Sequence, residues 1–211
     1  MGKTVAAWLM VAGAIGAPAT GPRETVETAV VRVVEVLQQS DGPDRAQDNR
    51  AQDNRAHDNR RAEIQRIARA LFDFDEIARR ALSRHWGGRT LEEQGEFIGL
   101  FTDLLERSYL NRIEAYAGER IVYTGEAVDG PYATVRSKVV TQRKSEVGID
   151  YRLHLRDSRW QVYDMLIDGV SFVSTYRSQF DRVIQAESYG ALVERLRKRN
   201  LDTAGVDRKK L

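Results

Sequence analysis

The side chains in this sequence whose types suit chemistry are three histidines, two serines beside an apolar run, and two aspartates set among aromatic residues. His57, His85 and His154 are far apart in the chain, and no H-E-x-x-H or C-x-x-C motif accompanies them. Cysteine is absent, which removes thiolate metal sites, disulfides and thiol nucleophiles together. Ser171 and Ser174 flank an apolar segment, but neither stands in G-x-S-x-G, where a strained turn would present the hydroxyl to a substrate. Gly118, Gly125 and Gly148 are scattered, so no glycine-rich loop is set to cradle a phosphate. Asp73, between Phe72 and Phe74, and Asp164, between Tyr163 and Met165, are sharper candidates. A carboxylate held in an apolar pocket can act as a base for proton abstraction. The plainer expectation is that Asp73 helps start a helix and Asp164 pairs with an arginine on a neighbouring element. On this census we expect no catalytic residues, no metal and no cofactor.

The elements that would position these residues follow from periodicity. Residues 160–180 predict a strand, a two-residue hinge at Asp168-Gly169 and a helix. Strict alternation places Val162 and Leu166 on one face of the strand and Tyr163, Met165 and Ile167 on the other. A strand that is apolar on both faces must be covered on both. Upstream, Val26, Val30, Val33 and Leu37 recur at helical spacing over 23–37, and Asp41-Gly42-Pro43 ends that helix. Residues 45–59 are three near-identical pentapeptides, RAQDN, RAQDN and RAHDN, without a large apolar residue. A five-residue step advances about 140° around a helix, so the repeat builds no consistent face. Its Asp-Asn pairs favour turns, and it predicts a solvated insertion.

A helix resumes over 61–71. Asp75 is the expected N-cap of the next, which runs to about residue 85 and closes on Gly87 and Gly88 in left-handed geometry. Thr90 and Glu93 fit a capping box for a helix carrying Phe97, Phe101 and Leu104, widened by Leu100, Leu105 and Tyr109. From residue 120 the period becomes two, with strands near 120–126, 132–142, 147–156 and 159–167 and turns at Asp129-Gly130 and Asp157-Ser158. Helices follow over 170–184 and around Leu192 and Leu196. The fold class is α+β, with helices packed on a curved, mostly antiparallel sheet of about four strands.

The chain has 211 residues and a formal net charge of +2, enough for one domain and too near neutral to imply a nucleic-acid partner. Lys3, a short apolar run over 5–16 and Ala17-Pro18-Ala19 predict a signal peptide over 1–19. Residues 20–200 then form a single domain, and 201–211 a basic tail.

The pattern W-x-V-Y-D-x-L-I-x-G-V-S-x-V-x-x-Y-R-x-Q-F over 160–180 resembles the MlaC family, as do Phe72-Asp73-Phe74-Asp75 with Ala78 and Leu82, and residues 90–109 with Phe97, Phe101, Leu104 and Leu105. Together these blocks cover roughly residues 61–199. The resemblance implies a periplasmic phospholipid-binding protein of the kind also called toluene-tolerance or ABC-transporter auxiliary proteins. The implied fold is a nuclear-transport-factor-like cone with an apolar pocket. The implied role is to shuttle glycerophospholipids, as a monomer, between an outer-membrane lipoprotein–porin complex and an inner-membrane ABC transporter complex, keeping outer-membrane lipid asymmetry. Under that role the pocket-lining candidates are Phe74, Ala78, Leu82, Phe97, Phe101, Leu105, Tyr109, Tyr151, Leu153, Met165, Ile167, Val170, Phe172 and Tyr176. For any one of them, ordinary core packing is the plainer expectation. Arg152 and Arg177 are candidates to meet a phosphate head group, against surface ion pairing. Two other functions stand beside this one. One is a small-molecule enzyme on the same cone, using Asp164 or Asp73 as base. The other is a non-catalytic interaction module with a packed interior.

Overall fold

A computed structural model describes residues 20–38, 50–142, 144–199 and 201. Four helices come first: α1 (Pro22–Gln38), α2 (Arg50–Leu71), α3 (Phe74–Leu82), continued by a 3-10 turn at Ser83–His85, and α4 (Leu91–Glu114). Strands β1 (Arg120–Asp129), β2 (Tyr132–Val140), β3 (Glu146–Arg156), β4 (Arg159–Ile167) and the short β5 (Val170–Ser171) follow, then α5 (Phe172–Ala186) and α6 (Tyr189–Arg197). The signal-peptide segment, Asp41-Gly42-Pro43, the first repeat unit and residues 202–211 of the tail lie outside the described residues.

The sheet is an antiparallel meander in the order β1-β2-β3-β4-β5. Two-residue loops make its sharp reversals. Asp157 and Ser158 have φ of 49° and 61°, and Asp168 and Gly169 have 48° and 81°. Positive φ at both loop positions gives the turn twist that matches twisted strands. The second of these hairpins adds β5, a fifth strand beyond the four expected. It also delays the start of α5 to Phe172, two residues later than the sequence pattern suggests.

A bulge corrects the strict alternation expected of β4. Arg152 pairs with Asp164, but Leu153 pairs with Val162, so Tyr163 is an extra residue. Val162 therefore shares the face of Met165 and Ile167, together with Tyr151 and Leu153 of β3. Tyr163 and Asp164 turn to the opposite face, where the Tyr163 ring meets His154 and Tyr132.

Three helix boundaries also differ from expectation. Residues 50–59 of the repeat continue α2 as helix rather than forming a turn-rich insertion. Once residues 60–71 are anchored, each added residue gains a hydrogen bond without a new nucleation cost. His57 and Arg61 also reach Glu114 of α4 at 3.4 and 3.5 Å. Asp73, not Asp75, caps α3, because its side chain accepts the Glu76 N–H at 2.9 Å. That helix ends at Leu82 with Ser83 at φ 52°, and neither Gly87 nor Gly88 has positive φ. The Thr90–Glu93 capping box forms as expected.

The apolar interior has two parts. A sheet cluster joins Val135, Tyr151, Leu153, Trp160 and Val162 to Val26 of α1 and Leu71 of α2. A helical cluster joins α3, α4, α5 and α6 through Ala78, Leu82, Phe97, Phe101, Tyr176, Phe180, Leu192 and Leu196. Phe97, Phe101, Tyr176 and Phe180 interlock with ring centroids 5.0–5.8 Å apart. Offset and edge-on pairs of this kind are each worth about 1 kcal/mol beyond the area they bury. Phe72 packs against both clusters. Beside it, the Asp73 N–H donates to the Val162 carbonyl at 2.9 Å, fastening the start of α3 to β4.

Candidate functional site

The two candidate bases are both taken up by structure. Asp164 is 5% exposed. Its Oδ1 accepts the Met165 and Val173 N–H groups at 2.9 and 3.0 Å. Its Oδ2 accepts the Ser171 hydroxyl at 2.7 Å and Arg152 Nη1 at 3.3 Å. The carboxylate thus holds β3, β4 and the first turn of α5 together, where the helix dipole favours negative charge. Asp73 is 6% exposed. Its Oδ1 caps α3, and its Oδ2 faces His154 Nε2 at 3.0 Å and Arg156 Nη1 at 3.2 Å. Helix starting for Asp73 and arginine pairing for Asp164, the plainer expectations, are what the geometry contains. Neither carboxylate offers an oxygen to an apolar pocket.

The histidines are likewise placed apart. His85 Nε2 lies 2.8 Å from Asp181 Oδ1, which also accepts from Arg84. The His85 bond, with Arg84, holds the Asp181 carboxyl below the ordinary range. No group of three His, Cys, Asp or Glu side chains among the described residues is arranged to hold a metal ion.

The apolar candidates divide between the two clusters. Ala78, Leu82, Phe97, Phe101, Leu105, Phe172 and Tyr176 belong to the helical cluster, with Phe74 and Tyr109 half-buried against it. Tyr151 and Leu153 belong to the sheet cluster, with Met165 half-buried against it. Ile167 pairs with Ile149 and is half-buried on the same face of the sheet. Val170 is the exception, 60% exposed on the short edge strand directly after the hinge. The residue that sequence reasoning passed over is Phe72, which links the two clusters. Its signal was its place between the end of one helical stripe and a capping aspartate.

The polar atoms of the sheet cluster include the Tyr123 and Tyr151 phenols and the Trp160 indole N–H. Burial pushes the Tyr151 hydroxyl up to about 12, with a hydrogen bond to Ser137 pulling the other way. Burial also raises Tyr123. Both remain protonated at any physiological pH. Of the two arginines considered for a head group, Arg152 is paired with Asp164. Arg177 instead donates its Nε–H to the Arg80 carbonyl at 3.0 Å.

Two shallow surface concavities flank α3. One, of about 480 Å³, is lined by Arg79, Arg80, Ser83, Trp86, Gly87 and Arg177. The other, of about 470 Å³, is lined by Asp75, Glu76, Arg79, Trp86, Ile98, His154 and Arg156. Neither is lined by the apolar candidates, whose members close on one another in the two clusters.

Known proteins place this arrangement. Among solved structures, the chain is similar to a phospholipid-binding protein from Ralstonia solanacearum, determined in complex with a phospholipid. The two are 28% identical, the match covers 86% of this chain and 97% of that one, and the TM-score is 0.68. No curated protein matches the chain at a significant level. The family model described as MlaC protein matches residues 41–198, about three quarters of the sequence, and the chain belongs to the MlaC family.

Proposed function

We propose that this protein is a periplasmic carrier of glycerophospholipids. In this role it passes lipid between an outer-membrane lipoprotein–porin complex and an inner-membrane ABC transporter complex, and so maintains outer-membrane lipid asymmetry. The observation that carries the proposal is an apolar interior built as two layers, one on the sheet and one among the helices, meeting at Phe72. Polar fastenings at Asp73 and Asp164 also join the layers. Tails inserted between such layers would contact the half-buried members first: Phe74, Tyr109, Met165 and Ile167. The similar Ralstonia solanacearum protein was solved with a phospholipid bound. No helix among the described residues is long and apolar enough to cross a membrane.

Energetics favour a carrier that works by docking. Each buried methylene is worth ~0.8 kcal/mol, so two tails with roughly 30 methylenes would cost more than ~20 kcal/mol to leave in water. Cargo then exchanges only where a partner offers another apolar path, and no catalytic residue is needed. The signal peptide over 1–19 would deliver the protein to the periplasm, where it acts as a monomer.

Organic extraction and mass spectrometry of protein recovered from its export compartment test this. About one diacyl phospholipid per chain is expected. Protein that is folded, exported and free of lipid would overturn the proposal.

A further inference from the structure

The cleft lined by Arg79, Arg80, Ser83, Trp86, Gly87 and Arg177 has a composition that lipid tails do not call for. Three guanidinium groups share it, and no carboxylate is among its lining residues. Glu76 stands behind them, bonded by Arg79 Nε at 2.7 Å and Arg80 Nε at 2.6 Å. Burial opposes its ionisation, yet those two bonds hold its carboxyl below the ordinary range. One carboxylate against three cations leaves the cleft with excess positive charge.

The arginines are also held in place. Arg80 lies over the Tyr163 ring, 4.1 Å from its centroid. Arg177 has no carboxylate partner among the described residues, and its Nε bond to the Arg80 carbonyl fixes the plane of its guanidinium. Its two terminal amino groups therefore remain available as a fork. Ser83 adds a hydroxyl from a backbone at φ 52° and ψ −122°. Such a conformation is strained for a residue with a Cβ and persists where surrounding structure enforces it. Trp86, packed on the helical cluster, provides an apolar wall.

A planar arginine fork matches oxyanions with two or more acceptor oxygens, phosphate above all. The Trp86 indole beside the arginines suits an organic substituent on the phosphate. We propose that this cleft binds a phosphate ester, with Arg177 as its principal ligand. The site is separate from the interior and stands whether or not the interior holds lipid. The ester has two possible sources, the head group of a phospholipid in a membrane surface or a soluble phosphate ester.

The test uses the full chain. Glycerol 3-phosphate is titrated while the amide signals of Ser83 and Gly87 are followed by NMR. Saturable shifts are expected, weakening with added salt as a charged contact must. Arg177→Gln is expected to weaken binding roughly tenfold, the loss of a charge-assisted bond. Arg177→Lys, which keeps the charge but not the fork, falls between. Ser83→Ala leaves every arginine in place and is expected to weaken binding several-fold even if Arg177→Gln proves unstable. Arg136→Gln, an exposed arginine on β2 outside the cleft, should leave the affinity unchanged. Equal weakening in Arg136→Gln, or none in Arg177→Gln and Ser83→Ala, would overturn the site. Vesicles of phosphatidylcholine with and without phosphatidylglycerol identify the source. Retention on the phosphatidylglycerol vesicles that Arg177→Gln abolishes assigns a lipid head group. Binding of glycerol 3-phosphate without vesicle retention assigns a soluble ester. Binding of neither probe refutes the proposal.

Discussion

Asp164 shows how a single side chain can join two layers. Four donors from four elements converge on its carboxylate: two backbone N–H groups, one hydroxyl and one guanidinium. Removing it strands those donors in a nearly dry site. Asp164→Ala is expected to lower the unfolding free energy by about 3 kcal/mol, the scale of a broken buried pair. Urea denaturation measures this, and a loss near zero would show that water takes over the role. Asp164→Asn keeps one carbonyl oxygen for the Met165 and Val173 N–H groups, though it turns an amide donor toward Ser171 and Arg152, and should lose less. Glu76 makes a different prediction, about pH. Its carboxyl is held below the ordinary range in the folded state by Arg79 and Arg80, against the opposing effect of burial. Its contribution to stability is therefore complete above the unfolded value of about 4.3 and fades as pH falls through the lower folded value. The fall in stability from about pH 5 to about pH 3 should be shallower in Glu76→Gln than in the parent. An unchanged slope would mean that the two arginines do no net work on this carboxyl.

Helix α2 is the element where sequence and structure part most. The repeat has no large apolar residue, so periodicity found no face for it to bury and read it as solvated chain. The structure continues it as helix because residues 64, 67 and 71 anchor the downstream turns, with Ile64, Ile67 and Leu71 buried. Helix then propagates back through whatever precedes them. Deleting one unit, residues 50–54, rotates the upstream turns by about 140° relative to the anchored part. The deleted unit carries no large apolar side chain. The unfolding free energy should change by less than about 1 kcal/mol, as for surface changes generally, and chemical denaturation checks it. A larger loss would mean that the repeat packs. Elsewhere, local rules sufficed. The Thr90–Glu93 capping box, the clean alternation of β3 and the Asp157-Ser158 hairpin are decided within a few residues, and all three were legible. The bulge at Tyr163 was not, since it arises from pairing between β3 and β4 rather than from β4 alone. Asp73 displaced Asp75 as cap for a similar reason. Its backbone is already tied to Val162, which sets where α3 begins. The apolar candidates were legible as buried residues. Which layer each joins depends on how the helices meet the sheet, and no local pattern carries that.

At the scale of the whole molecule, a carrier must be both closed and able to part. Its helical layer and its sheet layer are each well packed, and the substitutions that test cargo binding must spare that packing. Leu153 is 0% exposed within the sheet cluster. Leu153→Arg would place a cation among Val26, Val135 and Val162 and should prevent folding, because a close-packed interior admits neither the volume nor the charge. It cannot separate a lipid contact from a core contact. Met165 can. It is half-buried at the margin of the same cluster, on the face that tails would meet under the proposed function. Met165→Trp adds bulk without charge. It should compete with a tail for the gap between layers while leaving the buried contacts of Tyr151 and Val162 in place. Circular dichroism and lipid extraction on one preparation give the outcome: native helix and strand content with sharply reduced phospholipid. Val170→Trp is the matched control, since Val170 is 60% exposed on the edge strand, and it should keep both fold and cargo. A folded Met165→Trp protein with its full complement of phospholipid would place the tails away from the sheet, against the helical layer alone.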